Sequence, residues 1–149
     1  MADAQAKPDT TLRLRRTFAA PREDVFRAWT SPEAMRRWWI PREGFSVPAA
    51  EVDLRAGGRY RVAMRNAAGE VFHVSGVYRE VRAPERLAYT FRWELESMDV
   101  GETLVTVEFR DLGDATEVLL THALFPTVQD RDSHAQGWNG TLDHFGKLF

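Results

Sequence analysis

The 149-residue chain has the length of one domain and can bury roughly 68–70% of the surface that its unfolded form exposes. Its 20 basic residues against 22 acidic ones leave a net charge of -2, which argues against a surface built to coat phosphate or anionic lipid, so no nucleic-acid partner is expected. Cysteine is absent, which excludes a disulfide framework, a thiolate nucleophile and a Cys-rich zinc site, and leaves packing to hold the fold.

The opening residues, MADAQAKPDTT, are small and polar, without the apolar stretch of a secretory signal or the arginine richness of a transit peptide. The expectation is a disordered tail over 1–11, a single domain over 12–149 and a cytoplasmic location. No apolar run approaches the roughly 18–20 residues needed to cross a bilayer, so no membrane span is expected.

Residues 12–18 alternate, with Leu12, Leu14 and Phe18 on one face and Arg13, Arg15 and Thr17 on the other, as in a half-buried strand. Arg16 falls on the apolar parity, so either the strand bulges or the charged head sits at the rim of the interior beside a carboxylate. Pro21, Glu23 and Asp24 then open a helix carrying Val25, Phe26 and Trp29, which stops near Thr30. A second short helix restarts at Pro32 with Ser31 or Thr30 as N-cap, and places Met35, Trp38 and Trp39 inward before Pro41.

From 49 to 122 the period is two, broken at Gly57-Gly58, Asn66 to Gly69, Ala83-Pro84-Glu85 and Asp111 to Asp114. This spacing predicts strands over 49–54, 58–65, 71–82, 86–94, 102–110 and 115–122, joined by loops too short for parallel crossovers. One parity is apolar, from Tyr60, Val62 and Met64 through Tyr78, Tyr89 and Trp93 to Leu120 and His122. The other carries Arg59, Arg61, Arg65, Arg79, Arg92, Glu94, Glu108 and Glu117. A last helix over 129–149 lays Trp138, Thr141, Leu142, Phe145 and Leu148 on the dry face. Gly137, Gly140 and Gly146 weaken it, which points to close backbone approach or to room kept for a ligand. The fold class is α+β, a curved antiparallel sheet wrapped around a C-terminal helix.

The segments Arg16-Thr-Phe-Ala-Ala-Pro21, Val25-Phe-Arg-Ala-Trp-Thr30, Pro32-Glu-Ala-Met-Arg-Arg-Trp-Trp39, Asp53-Leu-Arg-Ala-Gly-Gly-Arg-Tyr60, Gly76-Val-Tyr78 with Pro84-Glu-Arg-Leu87, Leu120-Thr-His122 and Gly137-Trp138 add a resemblance. In collinear order over residues 12–149 they resemble the homologues of the activator of the 90-kDa heat-shock protein ATPase, within the START/SRPBCC superfamily. The resemblance implies the helix-grip fold and, at superfamily level, binding of lipids, sterols or polyketides. It also implies a chaperone contact and a stress-response setting, although the additional N-terminal domain of the eukaryotic co-chaperones has no counterpart in this sequence.

No serine sits in a G-x-S-x-G turn, and His73, His122, His134 and His144 are spread out, so neither a catalytic triad nor a metal or other cofactor is expected. His122 ends a strand on the dry parity, where a neutral imidazole could bond a ligand carbonyl; the simpler reading has it satisfying a backbone carbonyl. Tyr60, Tyr78, Tyr89 and Trp93 combine apolar bodies with polar tips under the helix and are pocket or core residues. Of Trp38 and Trp39, about 100° apart on a helix, one belongs in the core and one at a pocket mouth. Asp53 is read as a turn-capping residue or a partner of Arg16. The arginine face pairs with Glu70, Glu94, Glu108 and Glu117.

The candidate ligand-binding set is Trp39, Met64 and Trp93, with Tyr60, Tyr78, Tyr89, His122, Gly137, Gly140 and Thr141. The expected partner is a hydrophobic small molecule held by a monomer or weak homodimer. A chaperone-interaction module, or a cyclase-type enzyme using His122 with Tyr or Arg as acid and base, is the alternative.

Overall fold

The computed structural model describes residues 9–149, so most of the expected N-terminal tail lies outside the described residues. The first strand, β1 (Leu12–Phe18), is followed by two tandem helices, α1 (Arg22–Thr30) and α2 (Pro32–Trp38). Glu23 and Asp24 occupy the first turn of α1, where the helix dipole favours negative charge. Ser31 Oγ accepts the Ala34 amide at 3.4 Å and caps α2, with Pro32 at its first position.

Six strands follow: β2 (Ser46–Val52), β3 (Arg59–Arg65), β4 (Val71–Arg82), β5 (Arg86–Trp93), β6 (Thr103–Asp111) and β7 (Thr116–Ala123), with a 3-10 turn at Glu96–Met98. β2 begins earlier than its alternation predicts. Its register shifts between Ser46 and Ala49, around Pro48, an irregularity that an edge strand tolerates because proline lacks a ladder donor. The chain ends in α3 (Val128–Gly146), whose Thr127 Oγ1 accepts the Asp130 amide at 3.0 Å. Residue 9 is already attached to this helix: the Asp9 carboxylate accepts from Thr11 and Arg13, and its carbonyl accepts from Arg131.

All strand pairs are antiparallel, in the order β1-β7-β6-β5-β4-β3-β2, and the sheet is not closed. β1 runs in unbroken register with β7 from Leu12↔His122 to Phe18↔Thr116, which removes the bulge reading of Arg16. The guanidinium instead sits at the rim and reaches α3, 2.9 Å from Asp143 and 3.1 Å from the Asn139 side-chain oxygen. Asp53 is not its partner: that carboxylate is exposed and takes the Arg55 guanidinium at 2.9 Å.

The dry parity forms the concave face, where Val62, Val74, Leu87, Val105 and Val107 are fully buried. The C-terminal half of α3 packs on it through Phe145, 4.9 Å from Phe18, 5.1 Å from Trp29 and 5.0 Å from Trp38 between ring centroids. On the wet face Arg61 forms a two-pronged pair with Glu94 (2.8 and 2.9 Å), and Glu117 lies between Arg15 and Arg110. Glu70 departs from the expected pairing, because its carboxylate is taken by the Asn66 side chain within the β3–β4 turn.

Candidate functional site

The three tyrosines lie in a closed cluster with Trp29, Met35 and Trp39 that leaves no volume for a water molecule. Tyr60 Oη donates to the Thr90 carbonyl at 2.7 Å, and Tyr89 Oη accepts the Trp29 indole N–H at 3.2 Å. Tyr78 packs 5.6 Å from Tyr60 and 5.8 Å from Tyr89. Burial pushes all three phenols above their ordinary range. Tyr60 and Tyr89 each direct the polar tip to a partner, the Thr90 carbonyl and the Trp29 indole, while Tyr78 contributes ring contacts to both.

His122 is fully buried. Its Nδ1 accepts the Trp138 indole N–H at 3.0 Å, so the proton of the neutral ring belongs on Nε2. Nε2 faces Thr103 Oγ1 at 2.7 Å, and that hydroxyl donates onward to the Phe91 carbonyl at 2.8 Å. Every donor and acceptor in this chain is used. The imidazole has no lone pair to offer a ligand, and burial, with His134 nearby, holds its pKa well below the usual histidine value. The partners are two side chains on β6 and α3 rather than a backbone carbonyl.

Open space begins on the other side of Trp39. A cleft of about 660 Å³ lies between the N-terminal half of α3, the α2–β2 loop, the Met64–Phe72 end of the sheet and the β5–β6 loop. Trp39 forms the wall between closed core and cleft: it stacks on Phe91 at 6.4 Å and 7°, and on Trp38 at 5.4 Å and 29°. Trp38 is wholly buried, with its indole N–H on the Ala28 carbonyl at 2.8 Å, so the two adjacent tryptophans divide between core and cleft.

The apolar walls are Trp39, Phe45, Met64, Phe72, Phe91, Trp93 and Trp138; the polar atoms come from Arg42, Asn66, Asp130, His134, Gln136 and Thr141 among others. Trp93 Nε1 donates to His134 Nε2 at 2.9 Å, and His134 Nδ1 lies 2.8 Å from the Asp130 carbonyl. His134 is therefore the neutral Nδ1–H form, and desolvation lowers its pKa.

Of the sequence-selected residues, the cleft gathers Trp39, Met64, Trp93, Gly137 and Thr141. Tyr60, Tyr78, Tyr89 and His122 are placed in the packed interior, and Gly140 faces protein. A Cβ at Gly140 would lie 1.9 Å from the Pro41 carbonyl oxygen, so this glycine permits backbone contact rather than reserving ligand space. A Cβ at Gly137 would meet only Pro41 Cβ, at 3.7 Å.

Phe45, Phe72, Phe91, His134 and Arg42 line the cleft but were not in the sequence-selected set. For Phe72 a signal existed: Met64 pairs with Phe72 and Val74 with Trp93, so four dry-parity residues share the sheet end next to the Asn66–Gly69 turn. His134 precedes Gly137, Trp138 and Thr141 at helical spacing, which puts it on the same stripe. Arg42 and Phe45 lie in an irregular loop with no periodicity to expose them. Among the described residues, no group of His, Cys, Asp or Glu could hold a metal ion, and no helix is long and apolar enough to cross a membrane.

The family model described as Activator of Hsp90 ATPase homolog 1-like protein matches residues 19–149. The chain belongs to this family. Solved structures agree with the assignment. A protein from Chromobacterium violaceum is 29% identical, with a TM-score of 0.82 over 93% of this chain and 96% of that one. An AHSA1-like protein from Aeromonas hydrophila is 26% identical, with a TM-score of 0.74 over 91% and 90% of the two chains. CalU16 from Micromonospora echinospora is 25% identical, with a TM-score of 0.69 over 92% of this chain and 74% of that one. Comparison with curated proteins yields no match. The α+β helix-grip architecture of this AHSA1-like chain is thus the family's, while the cleft is described by its own side chains.

Proposed function

We propose that this protein binds a hydrophobic small molecule in the cleft between Trp39, the end of β3–β5 and the N-terminal half of α3. The observation that carries the reading is the contrast between the two aromatic regions. One is closed to water; the other keeps about 660 Å³ open, within the range of small-molecule sites, and combines aromatic walls with a few convergent polar groups. A side chain of Phe72's size at the edge of empty space forgoes contacts that a ligand would restore. Trp39, Met64, Trp93, Gly137 and Thr141 are the proposed ligand contacts from the sequence-selected set, joined by Phe45, Phe72 and Phe91.

Native mass spectrometry of freshly purified protein, followed by titration of a neutral apolar dye against tryptophan emission, tests the reading. Saturable binding at one site, with quenching of Trp39, Trp93 or Trp138, is expected. Dye uptake only on unfolding would overturn it.

A further inference from the structure

We propose that the ligand carries an acidic group, of carboxylate or sulfonate type, and that Arg42 is its counter-charge. This deepens the small-molecule reading of the same cleft and rests on it. Arg42 supplies the one guanidinium among the described lining residues. It stands 5.6 Å from the centre of the Phe45 ring, which orients the planar fork at the mouth without using its five N–H donors.

Neither Glu43 nor Asp143 pairs with Arg42: Glu43, next in the chain, is exposed and lies 3.7 Å from His144 Nε2, and Asp143 takes Arg16 at 2.9 Å. Arg42 itself forms no ion pair among the described residues, a state it shares with Arg36, Arg37, Arg59 and Arg65; what sets it apart is its place in the lining of the cleft. A guanidinium on the edge of an aromatic cleft matches a carboxylate or sulfonate by two parallel, charge-assisted hydrogen bonds.

The other charged lining group, Asp130, does not cancel this polarity. It sits three residues beyond the Thr127 cap, in the first turn of α3, where the helix dipole stabilises its negative charge. It also lies at the opposite end of the cleft. Gly137 and Gly140 are the glycines of α3 that lie beside Pro41, and the seven to ten residues back to Asp130 span about 10–15 Å of helix axis. An amphiphile with its acid at Arg42 therefore lays its apolar body along Phe45, Phe72, Phe91 and Trp93 and keeps its charge away from Asp130.

The test compares two dyes of similar shape, anilinonaphthalene sulfonate and neutral N-phenylnaphthylamine, on wild type, Arg42→Gln, Arg42→Lys and Gly137→Leu. Arg42 is exposed, so its variants fold, which thermal melts verify. The sulfonate should bind wild type more tightly than the neutral dye, and more weakly as salt rises. Arg42→Gln should weaken the sulfonate by about 10- to 100-fold, the worth of a charged hydrogen bond, leave the neutral dye unchanged, and be partly rescued in Arg42→Lys. Equal affinities for the two dyes, or an equal loss of both in Arg42→Gln, overturns the charge assignment alone when Gly137→Leu still blocks the neutral dye. If neither dye binds at a saturable site, the cleft reading falls and this inference with it.

Discussion

The indole N–H of Trp93, at the end of β5, points at Nε2 of His134, in the second turn of α3, across 2.9 Å. The Trp138–His122 pair repeats the arrangement inside the core at 3.0 Å. In both, a tryptophan donor occupies the one lone pair that an acid would protonate.

Acid sensitivity follows. Desolvation lowers the folded-state pKa of His122 and His134, so between that value and the unfolded one near 6.5 the unfolded chain binds more protons. The stabilisation is complete above about pH 6.5 and is lost as pH falls toward the folded values, with a limiting slope of about 1.4 kcal/mol per pH unit for each histidine. Denaturant midpoints measured from pH 7.5 to 5 should fall in this window, and fall less steeply in His134→Gln. The lowered carboxyls of Glu94, Asp9 and Asp99, held down chiefly by Arg61, by the Thr11 amide and by Arg92 respectively, act in a separate window below about pH 4.5. A flat profile between pH 7 and 5 would contradict the lowered histidine pKa values.

Gly140→Ala should destabilise the protein by roughly 1–3 kcal/mol despite a gain in helix propensity of about 1 kcal/mol, because the new methyl meets the rigid Pro41 carbonyl at 1.9 Å. Urea melts read this directly. A neutral or stabilised variant would show that the 40–45 loop yields.

Gly137→Leu is expected to do the opposite. Its Cβ has only an ordinary contact with Pro41, and helix propensity adds up to about 1 kcal/mol, so stability should hold or rise while the side chain fills the cleft and abolishes neutral-dye binding. Retained binding at full affinity would place the ligand elsewhere.

Trp138→Ala should cost roughly 3–5 kcal/mol, the range for truncating a buried aromatic side chain. Trp138→Phe isolates the hydrogen bond: it keeps most of the packing, leaves His122 Nδ1 without its donor and should cost roughly 1–3 kcal/mol. The same change frees that nitrogen for protonation, so the His122 titration followed by NMR should move upward. An unmoved titration would mean that burial alone holds it down.

Much of the architecture was legible in the sequence because local chemistry and pattern determine it. Period-two alternation from residue 58 to 122 and the turn residues between the runs define the meander, and Ser31 with Pro32 marks the start of α2 by satisfying helix amides. Alternation also predicts which residues are buried, but not what they are buried against. Tyr60, Tyr89 and Met64 share one parity, yet only the curvature of the sheet and the position of α3 decide that the tyrosines meet Thr90 and Trp29 while Met64 borders open space. The glycines of α3 are equally ambiguous in sequence, since a missing side chain records only that space was needed. Gly140 yields that space to the Pro41 carbonyl and Gly137 leaves it beside the cleft, a difference set by a loop crossing the helix. Arg42 and Phe45 sit in that loop, where no periodic pattern links residue type to surroundings, so their place in the cleft depends on contacts distant in sequence that only the folded chain creates.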